Sequence, residues 1–150
     1  PKKGVDMLKV EKIANGTVID HITAGRGLRV LDILNIKSGY TGKVALVMNA
    51  PSDKMGTKDI VKIAGKHIDD NTADRIALVA PEASLNIVKE YEVVEKRNVK
   101  LRERLIGIIK CPNPKCITNH ESMESDFRVD GDAVRCMYCE RPFKPQEISV

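Results

Sequence analysis

The chain has 150 residues, 42% of them hydrophobic, with 25 Lys or Arg against 21 Asp or Glu and a formal net charge of +4 at pH 7. That length fits a compact domain of about a hundred residues plus a smaller module, and no apolar run is long enough to span a bilayer. With no Trp and two Phe, the core must be aliphatic, which disfavours the single-stranded nucleic-acid readers that stack bases on aromatic rings.

Residues 8–13 and 17–22 read as strands joined at Asn15-Gly16, a dipeptide that accepts positive φ in a tight turn. Thr23 is placed to cap a helix running to Leu34, with Leu28, Leu31 and Leu34 along one side. Gly39 and Gly42 mark the turn out of it. A short apolar strand at 44–48, a polar loop at 49–56 and a strand at 58–64 follow. Asn71 or Thr72 then caps a second helix, in which Ala73, Ile76, Ala77 and Ala80 recur at the helical spacing until Pro81 stops it. Strands at 85–89 and 92–94 complete a β-α-β-β-α-β order. This predicts an α+β fold of the ferredoxin-like kind, two helices packed on an antiparallel sheet. Residues 95–104, EKRNVKLRER, are almost wholly polar and form the candidate linker, dividing the chain into 1–100 and 101–150. Leu101, Leu105, Ile106, Ile108 and Ile109 are expected to pack where the two parts meet.

All four cysteines fall in the last forty residues, Cys111 and Cys116 as C-x4-C and Cys136 and Cys139 as C-x2-C, with nineteen residues between the pairs. Two thiolates from each of two tight turns make a tetrahedral zinc site, one ion per chain. Pro112 and Pro114 favour turn geometry in the first loop. Four ligands of one kind leave no position open for water, so the ion would be structural, not catalytic. Two disulfides are the alternative, but no apolar signal segment or cysteine outside the cluster points to an oxidising compartment. His120 is read as a solvated loop residue. A zinc-ribbon-like β module of about forty residues buries too little apolar surface to fold alone, and zinc would supply the difference, on the order of 10 kcal/mol. Residues 111–150 carry five Lys or Arg against seven Asp or Glu, a poor footprint for phosphate. A partner protein suits this surface better than nucleic acid.

Residues 1–110 hold twenty Lys or Arg against fourteen Asp or Glu and so should meet an anion. On a strand, Lys58, Ile60 and Lys62 share one face, with the two lysines about 13 Å apart. That span suits a nucleoside triphosphate better than a lone inorganic ion. Asp20-His21 adds a carboxylate and an imidazole, but adjacent strand residues point to opposite faces and no nucleophile accompanies them. Binding is the expectation, not catalysis.

The blocks NGTVIDHI, PSDKMGTKDIVKI, NIVKEYEVVEK, CPNPKC and CMYC occur in this order. Together they resemble the regulatory chain of aspartate carbamoyltransferase over about residues 10 to 139. The resemblance implies a non-catalytic cytoplasmic subunit in pyrimidine biosynthesis, tuning separate catalytic chains that join carbamoyl phosphate to aspartate. It implies CTP, ATP and UTP as effectors of the first domain, a zinc domain docked on the catalytic chain, and a regulatory dimer formed by sheet-edge pairing. Carried over by motif position, Glu11, Lys12 and Ile13 would border the base, and Asp20 and His21 would reach ribose, phosphate or an accompanying Mg2+. Lys58 and Lys96 would contact phosphates, and Lys62 ribose and base. Asn86, Val88, Tyr91 and Val93 would complete the pocket. Lys12 stands where some members have a small residue. A zinc-ribbon nucleic-acid-binding protein is the alternative from another class, and a stand-alone enzyme using Asp20 and His21 a third.

Overall fold

The computed structural model describes residues 12–148. The first part comprises β1 (Gly16–Thr23), α1 (Gly27–Ile33), β2 (Val44–Ser52), β3 (Gly56–Ala64), α2 (Asp70–Val79), β4 (Ser84–Lys89) and β5 (Glu92–Asn98). The sheet order is β2-β3-β1-β4-β5, antiparallel throughout. Alternation along the strands sorts their side chains. Ile19 and Ile22 of β1, Val61 and Ile63 of β3 and Leu85 of β4 turn to one face, where Val30 and Leu34 from α1 and Ile76, Ala77 and Ala80 from α2 cover them. The opposite face carries Val18, Asp20, Lys58, Lys62 and Asn86.

The helices deviate from expectation at their starts. At 23–26 the chain makes a turn, Arg26 N–H donating to the Thr23 carbonyl at 3.0 Å, and α1 begins at Gly27 without a local side-chain cap. The cap comes from β3 instead. Asp59, fully buried, accepts from Gly25 N–H at 3.0 Å and Gly27 N–H at 2.9 Å through one carboxylate oxygen, and from Asn49 N–H at 2.9 Å through the other. Gly27 permits this approach, because a Cβ there would lie 2.9 Å from the Asp59 oxygen and 2.6 Å from Leu46 Cδ1. The buried side of α1 is Gly27 and Val30, while Leu28 is 57% exposed. In α2 the cap is Asp69, whose carboxylate accepts from Thr72 N–H at 2.7 Å, and Ile76, Ala77 and Ala80 are buried as their spacing requires.

The strands extend further than the apolar pattern. Residues 49–52 continue β2, so the expected 49–56 loop is a hairpin turned at 53–55. The pairing shifts between Val47 and Ala50, where Asn49 has φ of 59°. A matching shift in β1 between Ile19 and Ile22 places His21 at φ 56°. Glu90 and Tyr91, at φ 51° and 67°, turn β4 into β5 with the handedness that hairpins favour. Because β5 runs to Asn98, the first four residues of the expected linker are strand. Of the strand expected at 8–13, only Lys12 and Ile13 lie within the described residues, and neither is in a strand.

The second part has β6 (Arg104–Ile106), β7 (Asp126–Asp130), β8 (Ala133–Cys136) and β9 (Pro142–Phe143) in that spatial order. Leu105, Ile109, Phe127, Val134 and Ile148 form its core with three of the cysteines, and Leu78 of α2 joins them. Leu101 packs against both cores and Ile108 against the second, whereas Ile106 faces outward at 47% exposure. Arg29 on α1 donates to the Pro145 and Ile148 carbonyls at 2.9 and 2.6 Å, and Arg75 on α2 to the Ile108 carbonyl at 3.3 Å. Both helices therefore touch both parts. Among the described residues no helix is long and apolar enough to cross a membrane.

Asp59 ties β3 to the start of α1 and to the bulge of β2. Asp59→Ala strands three backbone donors, and urea unfolding should show a loss of about 3 kcal/mol. Asp59→Asn, which keeps one acceptor oxygen, should lose less. Equal stability of the Ala variant and the parent would show that the cap contributes nothing.

Candidate functional site

The four cysteines come together at one end of the second sheet. Cys136 ends β8, Cys139 lies in the turn after it, and Cys111 and Cys116 flank the loop entering the short helical turn Ile117–Asn119. Their sulfur atoms all lie within 4.8 Å of one another, with Cys111 to Cys139 at 3.8 Å and Cys116 to Cys136 at 3.7 Å. A disulfide would bring two sulfurs to about 2.05 Å. Thiolates at about 2.3 Å from a tetrahedral ion stand about 3.8 Å apart, and the observed edges fit that.

The surrounding backbone is built to hold negative sulfur. The amides of Asn113, Thr118, Tyr138 and Arg141 each reach the sulfur of the cysteine two residues earlier, the repeated mark of metal-binding turns. Burial pushes the Cys111 and Cys136 thiols up. Burial also opposes ionisation of Cys116, but the Thr118 hydroxyl, 3.2 Å from its sulfur, and the Thr118 amide bring it down to about 7. Asn119 braces the loop by donating to the carbonyls of Cys111 and Asn113 at 3.0 and 2.7 Å. His120 is exposed, with Nε2 against the Pro114 carbonyl at 2.8 Å, and is not among the clustered residues. The two-residue spacing of Asn113 and Thr118 from their cysteines is the sequence signal for these supporting groups.

On the first sheet, register gathers most of the expected anion-binding residues on the face away from the helices. Val18 pairs with Lys62 on one side and Asn86 on the other, and Asn86 pairs with Lys96, so Lys62, Asn86 and Lys96 stand in one row across four strands. Val88, opposite Gly16 and Val93, extends the row of contacts toward the β4–β5 turn. Tyr91 is 65% exposed at that turn, and its N–H donates to the Ala14 carbonyl at 3.0 Å, which brings Ile13 and Lys12 to the same end. Glu11 lies outside the described residues.

The lysine pair does not act as two free cations. Lys58 Nζ is 3.0 and 3.3 Å from the two Asp20 oxygens, whereas Lys62 and Lys96 make no ion pair among the described residues. Asp20 also accepts from the His21 amide at 2.6 Å, and His21 Nδ1 lies 3.3 Å from the Ser84 hydroxyl. Desolvation works to raise the Asp20 pKa, but the Lys58 and His21 bonds together hold it below the ordinary 3.8. Clefts of about 560 Å³ between α2 and residues 97–103 and about 340 Å³ where the two parts meet lie elsewhere.

Residues 8–100 match the family model described as the aspartate carbamoyltransferase regulatory chain, allosteric domain, and residues 103–149 match that chain's metal binding domain. The chain belongs to this regulatory-chain family. It is similar to the aspartate carbamoyltransferase regulatory chains of Pyrococcus horikoshii (50% identical, covering 94% of this chain and 95% of the relative) and Thermococcus kodakarensis (45%, covering 95% of each). That of Methanothermobacter thermautotrophicus is 48% identical, covering 94% of this chain and 92% of the relative. As a member of the family it is a regulatory, non-catalytic chain. The cysteine cluster falls within the matched metal-binding domain and the lysine face within the allosteric one.

The depressed Asp20 value gives the Asp20–Lys58 pair a pH signature. Its stabilisation is full above the unfolded-state value of 3.8 and is withdrawn as pH falls through the lower folded-state value. The stability difference between the parent and Asp20→Asn should therefore be constant from pH 7 to about 5 and shrink below pH 4. A difference that persisted unchanged into strong acid would show that the carboxylate charge is not its source.

Proposed function

We propose that this chain is the nucleotide-responsive subunit of aspartate carbamoyltransferase, carrying CTP, ATP or UTP on the open face of the first sheet and docking on catalytic chains through the second part. The observation that carries the reading is the row of Lys62, Asn86 and Lys96. It sets two ammonium groups, without carboxylate partners among the described residues, on either side of an amide, on a sheet whose other face is gripped by both helices. Lys62 and Lys96 would bind triphosphate and ribose as the free cations of the face. Lys58 is preorganised by Asp20, and Asp20 with His21 offers ribose hydroxyls or a nucleotide-bound Mg2+ a polar edge. Tyr91, Val88, Val93, Lys12 and Ile13, together with Glu11, would border the base at the β4–β5 end.

The ion fitted by four thiolates is Zn2+, one per chain and structural, since a closed four-sulfur shell leaves no position for a reacting water. The sheet of the first part, 1–100, is read as ferredoxin-like and the second part, 101–150, as zinc-ribbon-like. Self-association through the edge of the first sheet and a cytoplasmic setting complete the proposal. Regulation would be a population shift, in which nucleotide favours one arrangement of the two parts over another. A coupling of about 1 to 3 kcal/mol is enough to change substrate affinity several-fold or more.

Two measurements test this. Calorimetric titration of CTP with Mg2+ into the zinc-loaded chain should give saturable binding, weakened about tenfold or more by Lys62→Ala. Absence of heat with CTP, and with ATP and UTP in turn, would remove nucleotide sensing from the assignment. Cys139→Ser should lower bound zinc and abolish association with catalytic chains while leaving CTP binding intact. A Cys139→Ser chain that assembled normally would count against a structural ion supporting the docking part.

A further inference from the structure

The outward face of the second sheet carries a row of arginines that the described residues do not fully neutralise. Arg104 on β6 lies directly opposite Arg128 on β7, which lies directly opposite Arg135 on β8. Directly opposed residues of antiparallel strands share a face with Cβ atoms about 5 Å apart, and like charges so placed repel. The outer two arginines are compensated. Arg104 forks onto both oxygens of Asp126 at 3.1 and 2.8 Å, and Arg135 reaches Asp130 at 3.2 and 2.8 Å and the Glu140 carbonyl at 2.7 Å. Asp126, Arg128 and Asp130 alternate along β7 toward solvent while Phe127 turns inward. Both neighbouring carboxylates are thus already engaged by the flanking guanidinium groups. Arg128 is exposed and makes no hydrogen bond or ion pair among the described residues, and it reaches Asp126 only through space.

We propose that Arg128 is the docking point for a carboxylate side chain of a partner protein, and that the partner is the catalytic chain. This rests on the assignment of the preceding section and names the contact through which it would operate. Three features favour one carboxylate over a polyanion. Residues 101–150, which contain the whole row, carry eight Lys or Arg against eight Asp or Glu, so the row is a local cationic strip within a module of no net charge. A nucleic acid or anionic membrane following the strip would meet Asp126, Asp130 and Asp132 within the same short stretch, whereas one carboxylate fits between the two existing pairs. Ile106, on the same face of β6 beside Arg104, is 47% exposed and supplies an apolar contact next to the charge. An exposed arginine fork beside an apolar residue is a common energetic centre of protein interfaces.

The arrangement also predicts what a merely structural arginine would not show. Among the described residues Arg128 gains only the through-space attraction of Asp126 and sits between two like charges, so removing it should leave the isolated chain about as stable as the parent.

The test uses the full zinc-loaded chain and purified catalytic chains, with association measured by surface plasmon resonance or analytical ultracentrifugation. The parent, Arg128→Ala, Arg128→Lys and Arg128→Glu would be compared at two salt concentrations. Association should weaken about tenfold or more for Arg128→Ala, less for Arg128→Lys and most for Arg128→Glu. Zinc content and melting temperature should stay at or above the parent's, and the salt dependence of association should fall in the Ala variant. Parent and Arg128→Ala assembling equally well would overturn the inference while leaving the regulatory assignment in place. A parent chain that did not associate would overturn the assignment and the inference with it. Weaker assembly accompanied by lost zinc or a lower melting temperature would show a structural arginine and also overturn it.

Discussion

Four sulfur atoms held within 4.8 Å of one another set the terms for the whole second part of the chain. As thiols they would be small apolar groups that leave the surrounding amides with poor acceptors. As thiolates without a cation they would repel one another at short range. A divalent ion resolves both conditions, and the amides two residues beyond each cysteine are already aimed at the charge it stabilises. The remaining core of this part is modest, chiefly Leu105, Ile109, Phe127, Val134 and Ile148 around the cysteines. Such a core orders a small module only weakly. Leu78, inserted from α2, closes that core from outside, so the metal cage and the first part share a wall.

The first sheet divides two tasks between its faces. One face is filled by Ile19, Ile22, Val61, Ile63 and Leu85 under the helices, and the other carries the partly exposed Lys58, Lys62 and Asp20 beside the buried Asn86. The bulges in β1 and β2 preserve that division while reorienting the strands, since each inserted residue would otherwise send its neighbours to the wrong face. Asp59 is what holds this region together. It caps α1 and fixes the β2 bulge from inside the core, one residue from Lys58 on the opposite face. Any ligand drawn to the open face would press on strands whose inward side is packed against α1 and α2, the helices that also touch the second part.

Short-range chemistry was readable from the residues, and long-range chemistry was not. The cysteine spacing, the α2 periodicity and the alternation of β3 are local patterns, and each appears where the sequence places it. Residues 49–52 and 95–98 escaped detection because they lie on edge strands that are largely exposed, with no buried side to print an alternation. The start of α1 was misplaced because its cap is a carboxylate 32 positions away in sequence. Of the Leu28, Leu31 and Leu34 spacing, Leu34 is buried but Leu28 is exposed, and Val30 takes the inward place on α1. The Asp20–Lys58 pair depends on the register of β1 against β3 across a bulge, which a strand-by-strand reading does not supply.

The seam between the two parts is suited to having more than one arrangement. Alongside Leu78, Leu101 and Ile108, it is held by directional bonds from Arg29 and Arg75 to three backbone carbonyls. A hydrogen bond from a charged donor contributes about 1.5 to 3 kcal/mol, comparable to the coupling that regulation would require. A seam built only from a large apolar interface would resist displacement continuously and give little discrimination between positions. Guanidinium groups on carbonyls are made or lost over about an ångström. Because Arg29 stands on α1 and Arg75 on α2, a small change in either helix against the sheet alters bonds to the second part without unpacking either core. The helices that cover one face of the first sheet thus also hold the second part.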